Sequence, residues 1–332
     1  MVIMRTRRSF LTAMSAAGAL GLFNVPGLLA AEGPLETASV RLLKSSLICS
    51  AAPQFAAEAL LRAEGFKEIA YVEVPRTDLA QAFSNGIVDF TVTFAVNHIQ
   101  AIDRGAPLTI LAGVHAGCYE LFAREGLGSI TELKGKQVGL QAGSPALLKL
   151  LGAQVGLDPE RDFEWVIDPA LRPLDLFAEG KIDAFLGFPP EPQELHVRHA
   201  GHVILDTTVD RPWSQYFCCM LGGNREYVQR HPIATRRVMR AILKATDLCA
   251  QEPARVAQNI SSRGLIRRYD YDRQALSDLP YYKWREYNAE DTIRFYSLRL
   301  HEAGLIKATP NQIMAENTDW HFFDELKREL RA

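Results

Sequence analysis

The sequence predicts an α/β protein made of two lobes and a helical C-terminal tail. Short runs of β-forming residues alternate with helical periodicity from Ala38 to Val114, and the same alternation restarts at Tyr119. Such alternation is typical of a parallel sheet covered by helices. After Met220 the periodicity is almost entirely helical. The chain has 332 residues, more than one core usually holds, which favours two lobes.

The first unit is predicted to contain four strands, at Val40–Lys44, Glu68–Val74, Val88–Thr93 and Leu108–Val114. A loop of small residues over Ser45–Ala52 is expected to precede a helix that begins at Pro53, because proline is favoured in the first turn of a helix. Further helices are expected at Asp78–Phe83 and Asn97–Arg104. Because strands and helices alternate, we expect these four strands to form a parallel sheet.

The second unit has the same character, and its predicted strands are Tyr119–Ala123, Gln137–Gln141, Phe163–Ile167, Asp183–Gly187 and Val203–Leu205. Helices are expected at Ser144–Val155 and Leu174–Ala178. A short pattern occurs in both units: Gly86-Ile87-Val88-Asp89 and Gly180-Lys181-Ile182-Asp183 each place an aspartate three residues after a glycine. Glycine adopts the left-handed conformation that ends a helix, so both segments predict a helix end followed by a strand.

The tail is predicted to be helical, with segments that begin at Pro232, Glu252, Asp272, Glu290 and His321. The composition is that of an ordinary globular protein, with 48% hydrophobic and 23% charged residues. The formal net charge of −2 provides no basic surface for nucleic acid and no polybasic face for lipid headgroups. We therefore expect no nucleic-acid partner.

The N-terminus has the pattern of an export signal. Arg7-Arg8-Ser9-Phe10-Leu11 is typical of a twin-arginine signal, and the uncharged stretch that follows is rich in Ala, Gly and Leu and ends in small residues. We expect residues 1–31 to form this signal, with cleavage after Ala30 or Ala31, and the mature protein to act in the periplasm. A membrane anchor is the alternative, since roughly 18 to 20 apolar residues can span a bilayer. The segment is only weakly hydrophobic, which favours cleavage.

The five cysteines predict neither disulfides nor a metal site. Their number is odd and no CxxC pair occurs. A chain that folds before export does so in the reducing cytosol, where disulfides are rare. We expect buried thiols that act as small apolar residues, no metal and no cofactor.

The sequence lacks the common catalytic motifs: there is no GxSxG, HExxH, P-loop or GxGxxG after a strand. No catalytic residue is therefore expected. The turn at Gly143 and Ser144 leads into a predicted helix whose free N–H groups could bind an anion or a polar group. His115 follows an apolar strand, and carboxyl ends of strands are where open α/β sheets bind ligands. A structural role is an equal alternative for this histidine.

Other polar and aromatic residues also fall in loops or at strand ends. They are Ser45, Ser46, Thr93, Asn97, Phe94, Phe188 and Trp213. Together they predict a cleft with apolar walls and a few polar groups, which is typical of a small-molecule site. The predicted pocket loops carry no Arg or Lys other than Lys44, so a ligand with an apolar or flat portion is expected.

The order of segments resembles a known family. The similar segments include Ala80–Phe90, Ile102–Leu108, Leu133–Gly139 with Gly143-Ser144, Gly180–Ala184 with Pro189, and Asn224–Val228 with His231-Pro232. They resemble the NMT1/SsuA-like family, the nitrate, sulfonate and taurine type of substrate-binding protein for ABC importers. Each motif is short, but their order and spacing are similar from about Ala38 to Ile306.

The resemblance implies a type II periplasmic-binding-protein fold. It implies a first lobe over residues 36–118, a second over 119–215, and a return to the first lobe with the tail over 216–332, with crossovers near Cys118–Phe122 and Asp206–Phe217. The ligand would be a sulfonate, a carboxylate or a pyrimidine-like compound, captured by closure of the lobes. The partner would be an ABC permease and ATPase, and the binding protein would be a monomer.

Two alternatives remain open at this point. The family also includes pyrimidine synthases that use a Cys-rich motif and a histidine, of which Phe217-Cys218-Cys219-Met220 is only a fragment. The second alternative is a binding protein that serves a membrane sensor.

Overall fold

The computed structural model describes residues 32–45, 47–74, 79–140, 145–265 and 268–331. The described residues from Leu35 onward form one compact unit, and residues 32–34 are the described part of a second unit. The predicted export signal lies outside the described residues. Among the helices that the structure describes, none is long and apolar enough to cross a bilayer.

The described residues contain ten strands, which form two sheets of five. The strands are β1 Ser39–Leu43, β2 Glu68–Val72, β3 Phe90–Phe94, β4 Leu108–Ala116, β5 Glu120–Ala123, β6 Lys136–Gly139, β7 Phe163–Val166, β8 Ala184–Gly187, β9 His202–Asp206 and β10 Phe217–Asn224. The first sheet has the order β2-β1-β3-β10-β4 and the second the order β7-β6-β8-β5-β9. Every strand predicted from the sequence is present, with shifts of one to two residues at most ends.

Fourteen described helices surround the sheets. They are α1 Ile48–Ala56, α2 Glu58–Ala63, α3 Leu79–Ser84, α4 Ala95–Asp103, α5 Ala146–Gln154, α6 Pro173–Ala178, α7 Glu191–Val197, α8 Arg225–Arg230, α9 Pro232–Gln251, α10 Pro253–Ser262, α11 Tyr269–Asp278, α12 Ala289–Glu302, α13 Pro310–Asn317 and α14 His321–Glu329. The apolar stripe of α9, which includes Val238, Ile242 and Cys249, is fully buried. One core cluster contains residues of both sheets and of the tail.

The four predicted strands β1 to β4 run parallel to one another, but the first sheet is mixed because a fifth strand, β10, joins it. β1 pairs with β2 and β3 in parallel, but β10 lies between β3 and β4 and is antiparallel to both. β10 enters this sheet only after the chain has built the second one, so the local alternation of strands and helices could not reveal it. The second sheet is also mixed, because β5 is antiparallel to β8 and β9.

The two aspartates of the repeated pattern have the same structural role. Asp89 Oδ2 accepts a hydrogen bond from the backbone N–H of Arg41 at 2.7 Å, and Asp183 Oδ2 accepts one from that of Gln137 at 2.9 Å. The backbone N–H of Asp89 also donates to the carbonyl of Arg41, and the backbone N–H of Asp183 donates to the carbonyl of Gln137. In both sheets the aspartate thus extends the pairing of its strand with the neighbouring parallel strand.

The first helix begins at Ile48, five residues before the predicted start at Pro53. Pro53 lies inside α1, where its ring nitrogen cannot donate to the carbonyl of Cys49 four residues earlier. That carbonyl accepts a hydrogen bond from the Tyr281 hydroxyl at 2.8 Å instead. The tail therefore compensates the lost helix hydrogen bond and fixes the position of Cys49.

Two short connections join the sheets. The chain leaves the first sheet at Ala116 and enters the second at Glu120, and it returns between Asp206 and Phe217. The Thr207 side-chain oxygen accepts hydrogen bonds from the backbone N–H groups of Cys118 (3.0 Å) and Tyr119 (2.8 Å). One hydroxyl therefore ties the two connections together.

Candidate functional site

A cavity of about 460 Å³ lies where the two sheets face each other. This volume suits a small organic molecule. Its lining comes from the ends of β1 and β3, from α1 and α4, from Cys219 on β10, and from residues next to the strands of the second sheet, such as Tyr119 before β5 and Phe188 after β8. The residues are Leu43, Lys44, Ser45, Leu47, Cys49, Ser50, Val74, Leu79, Val92, Thr93, Phe94, Asn97, Gln100, Arg104, Cys118, Tyr119, Pro145, Phe188 and Cys219. The carboxyl ends of β1 and β3 lead into it, as expected for an open α/β sheet.

The polar groups on the first-sheet side are held by hydrogen bonds. Asn97 Nδ2 donates to Thr93 Oγ1 at 3.2 Å. The hydroxyls of Ser45 and Ser50 are 2.7 Å apart, and the N–H of Leu47 donates to Ser45 Oγ at 3.1 Å. These bonds orient the hydroxyl and amide groups before a ligand arrives.

Two cationic side chains border the cavity, and they differ in their partners. Lys44 Nζ pairs with Glu73, and this hydrogen bond lowers the pKa of the exposed Glu73 carboxylate. Arg104 has no carboxylate partner within the described residues. Its guanidinium is therefore the group best placed to meet an anionic ligand.

Arg104 is also the cation that the sequence prediction missed. Asn97, Gln100 and Arg104 line the same cavity and are spaced by three and four residues along α4 and its C-terminal end. Such spacing places side chains on one helix face. The predicted site extended only to Asn97, whereas the polar face continues for two further turns.

Aromatic side chains form a wall that extends from one sheet to the other. The ring centroid of Phe94 lies 5.1 Å from that of Tyr119, and the Tyr119 ring lies 5.8 Å from that of Phe188. Burial raises the pKa of the Tyr119 hydroxyl well above its usual value. This phenol therefore stays neutral, and the wall offers an apolar, uncharged surface of mutually tilted rings to a ligand.

Four cysteines and one histidine meet beneath this wall. Cys49, Cys118 and Cys219 line the cavity, and the Sγ atoms of Cys118 and Cys218 are 3.0 Å apart. Burial alone would raise the pKa of Cys218, but hydrogen bonds with the Cys118 and Cys219 thiols lower it to about 5. All five described cysteines are free. This cluster was not predicted, because its members come from α1, β4, β10 and the first connection.

The residues predicted as ligand contacts fall into three groups. Ser45, Thr93, Phe94, Asn97 and Phe188 line the cavity. Ser46, Gly143 and Ser144 lie outside the described residues, although the next residue, Pro145, lines the cavity. His115 and Trp213 are placed elsewhere.

His115 and Trp213 are both buried in packing. His115 is the penultimate residue of β4, and its ring packs at 5.1 Å against Tyr281 beside the cysteines. Trp213 stacks on Tyr296 at 6.4 Å and meets Phe295 at 5.6 Å. Trp213 packs on α12 because the second connection runs along that helix.

A family model described as NMT1/THI5 like matches residues 62–256, more than half of the chain. The chain belongs to the NMT1/THI5-like family. Among curated protein sequences, none matches this NMT1/THI5-like chain significantly.

Solved structures share the fold of this NMT1/THI5-like protein. The nitrate-binding protein NrtA of Synechocystis has a TM-score of 0.70 at 14% identity, with 90% of each chain covered. The alkanesulfonate-binding protein SsuA of Xanthomonas axonopodis, bound to MOPS, has a TM-score of 0.68 at 17% identity, with 86% of this chain and 100% of that chain covered.

A third likeness names the fold itself. The CA3427 gene product of Candida albicans, which has the generic periplasmic binding protein fold, has a TM-score of 0.63 at 15% identity, with 85% of this chain and 96% of that chain covered. The predicted fold class and family resemblance are therefore confirmed.

Proposed function

We propose that this protein is the extracytoplasmic binding component of an ABC importer and captures a small organic anion with an apolar or flat portion. The cavity carries this proposal. Arg104, without a carboxylate partner among the described residues, and the oriented groups of Thr93 and Asn97 suit an anionic head group. The wall of Phe94, Tyr119 and Phe188 suits an apolar or aromatic body.

Sulfonates and carboxylates match this arrangement better than a neutral pyrimidine, because a charge-assisted hydrogen bond to Arg104 needs a negative partner. The structural neighbours that bind alkanesulfonate and nitrate support an anionic ligand. Both are named as binding proteins, which also supports binding without covalent chemistry.

The proposed action is closure of two lobes over the ligand. We assign the first lobe to residues 36–118 together with 216–332, and the second lobe to residues 119–215. The two connections act as the hinge, and the ligand stabilises the closed form by contacting both sheets. The closed monomer is what the permease would recognise.

The experiment is a thermal-shift screen of the mature chain with sulfonates, carboxylates, nitrate, sulfate and pyrimidines, followed by calorimetry. A ligand at 100 times its Kd adds about 2.7 kcal/mol of stability, which is readily detected. Binding of nitrate or sulfate without any organic anion would reject the proposed ligand class. A chemically altered ligand after incubation would favour the enzyme alternative.

Arg104→Met tests the anion contact. We expect affinity for the best anionic ligand to fall about tenfold or more, because a hydrogen bond to a charged group contributes about 1.5–3 kcal/mol. The matched control is Arg230→Met, which removes an exposed arginine of α8 that pairs with Glu226. Equal affinity in the two variants would contradict the role of Arg104.

The location has its own test. We propose export by the twin-arginine route into the periplasm, with removal of residues 1–31. Replacing Arg7 and Arg8 by lysine should leave the precursor in the cytoplasm. Mass spectrometry of the exported chain should find Ala31 or Glu32 at the N-terminus. Co-purification with a permease and an ATPase would distinguish an importer component from a sensor partner.

A further inference from the structure

The buried cluster of cysteines and His115 has no part in the proposed capture of an organic anion. Two sets of three donor atoms each lie within 4.8 Å of one another: Cys49, His115 and Cys219, and His115, Cys118 and Cys218. All five residues are almost completely buried. A set of this size, drawn from four parts of the chain, is more than small apolar residues need for packing.

His115 is prepared to accept a partner. Its Nδ1 lies 3.2 Å from the carbonyl oxygen of Ala116, so Nδ1–H donates and Nε2 carries the lone pair. Nε2 is buried and has no hydrogen-bond partner within the described part of the chain. An unsatisfied buried nitrogen costs about 1–3 kcal/mol. A ring whose other N–H donates to a carbonyl is also the arrangement that metal-binding histidines adopt.

Rigid elements hold the thiols next to the His115 ring. Cys219 and His115 are register partners on β10 and β4. Irregularities in this pairing occur on both sides of Cys219, and such bulges change the direction of side chains. They allow the adjacent Cys218 and Cys219 to join one cluster. Cys49 is fixed by the bond between its carbonyl and Tyr281, whose ring packs on His115.

We propose that Cys49, His115 and Cys219 form a binding site for a thiophilic d10 metal ion at the floor of the cavity. Two thiolates and a neutral imidazole suit Zn²⁺ or Cu⁺, which share a preference for sulfur and nitrogen ligands. Cys49 and Cys219 also line the cavity, which gives an ion a path of entry. The site reverses the expectation of inert thiols, and it does not depend on the identity of the organic ligand.

The test uses the reduced mature chain and three ions. Zn²⁺ and Cu⁺ are titrated against a chromophoric chelator, and Co²⁺ is used as a spectroscopic substitute for Zn²⁺. We expect one equivalent to bind, and Co²⁺ to give thiolate charge-transfer absorption with the strong visible bands of a low-coordinate site. Preference for Zn²⁺ or for Cu⁺ identifies which ion of the class the site takes.

Cys219→Ala and His115→Gln each remove a metal ligand. Each should lower the metal affinity by more than about 100-fold, the loss that follows removal of a hydrogen bond to such a ligand. Cys249→Ala is the matched control, because Cys249 is equally buried but lies in α9 outside both donor sets. If a variant does not fold, the wild type provides the test instead. Bound Zn²⁺ should then protect Cys49 and Cys219 from an alkylating reagent. Failure of the reduced wild type to bind any of the ions, or equal binding in all variants, would overturn the proposal.

Discussion

The ring of Phe94, the last residue of β3, lies 5.1 Å from the ring of Tyr119, which precedes the first strand of the second sheet. The contact belongs to the aromatic wall that continues to Phe188. A flat ligand seated on this wall touches residues associated with both sheets. Its affinity therefore depends on the alignment of the sheets as well as on the individual contacts.

We predict that Phe94→Leu weakens binding of an aromatic or flat anion by about fivefold, because an aromatic contact contributes about 0.5–1.5 kcal/mol beyond the area it buries. Calorimetry with the best ligand of the screen measures the change. Phe163→Leu makes the same substitution in β7, where Phe163 packs on Trp165 away from the lining residues. A larger loss of affinity in the control would place the ligand elsewhere.

Asp89→Asn is predicted to destabilise the protein by about 1.5–3 kcal/mol, the usual contribution of hydrogen bonds to a charged group. The buried Asp89 carboxylate accepts from the backbone N–H of Arg41 and from its guanidinium at 2.6 Å. Urea denaturation monitored by circular dichroism measures the free energy of unfolding. In contrast, Glu226→Gln breaks only an exposed pair with Arg230 and should cost less than about 1 kcal/mol.

Because of His98, the free energy of unfolding is predicted to decrease as the pH is lowered from about 6.5 to about 4. Burial lowers the pKa of His98 from 6.5 to about 4 in the folded protein, where Nε2–H donates to the carbonyl of Met220 at 2.9 Å. Below the unfolded pKa the unfolded chain takes up a proton that the folded chain does not. The contribution of neutral His98 to stability is therefore complete above about pH 6.5. As the pH falls, up to about 3 kcal/mol of this stability is lost.

The check is the pH dependence of the unfolding free energy for the wild type and for His98→Gln. The difference between the two profiles should change over this window and level off below it. His321→Gln serves as the control, because His321 is exposed. Parallel profiles for wild type and His98→Gln would show that His98 makes no such contribution.

Mild oxidation of the metal-free protein is predicted to join Cys118 and Cys218 before any other pair. Their Sγ atoms are 3.0 Å apart, so the bond requires an approach of only about 1 Å. Peptide mapping after diamide treatment identifies the linked cysteines. Cys118→Ser should retain free thiols under the same conditions, and a linkage that involves Cys249 would contradict the geometry.

Much of the fold could be predicted because strands and helices leave periodic patterns in the sequence. The strands β1 to β9, the helix α9 and the family resemblance follow from local segments. The position of β10 does not, because its partners β3 and β4 lie more than a hundred residues earlier in the chain. Pairing over such a separation leaves no local pattern.

The candidate site was predictable only where one loop or helix start supplied the residues. Thr93 and Phe94 end β3 and Asn97 lies in the first turn of the helix that follows, so these three could be found together. Arg104 required the full face of α4 to be considered. The cysteine cluster could not be found, since an odd number of cysteines without a CxxC pair concealed a contact among residues from four separate segments.

The tie at Thr207 has a consequence for how such proteins diversify. Glu120 and Asp206, the first and last residues of the second sheet's span of chain, are register partners on β5 and β9. That span is a single continuous insertion whose ends are adjacent. Exchanging residues 120–206 between relatives would replace the cavity residues that this span supplies, Pro145 and Phe188. New ligand preferences could therefore arise by recombination of a cassette as readily as by accumulated point substitutions.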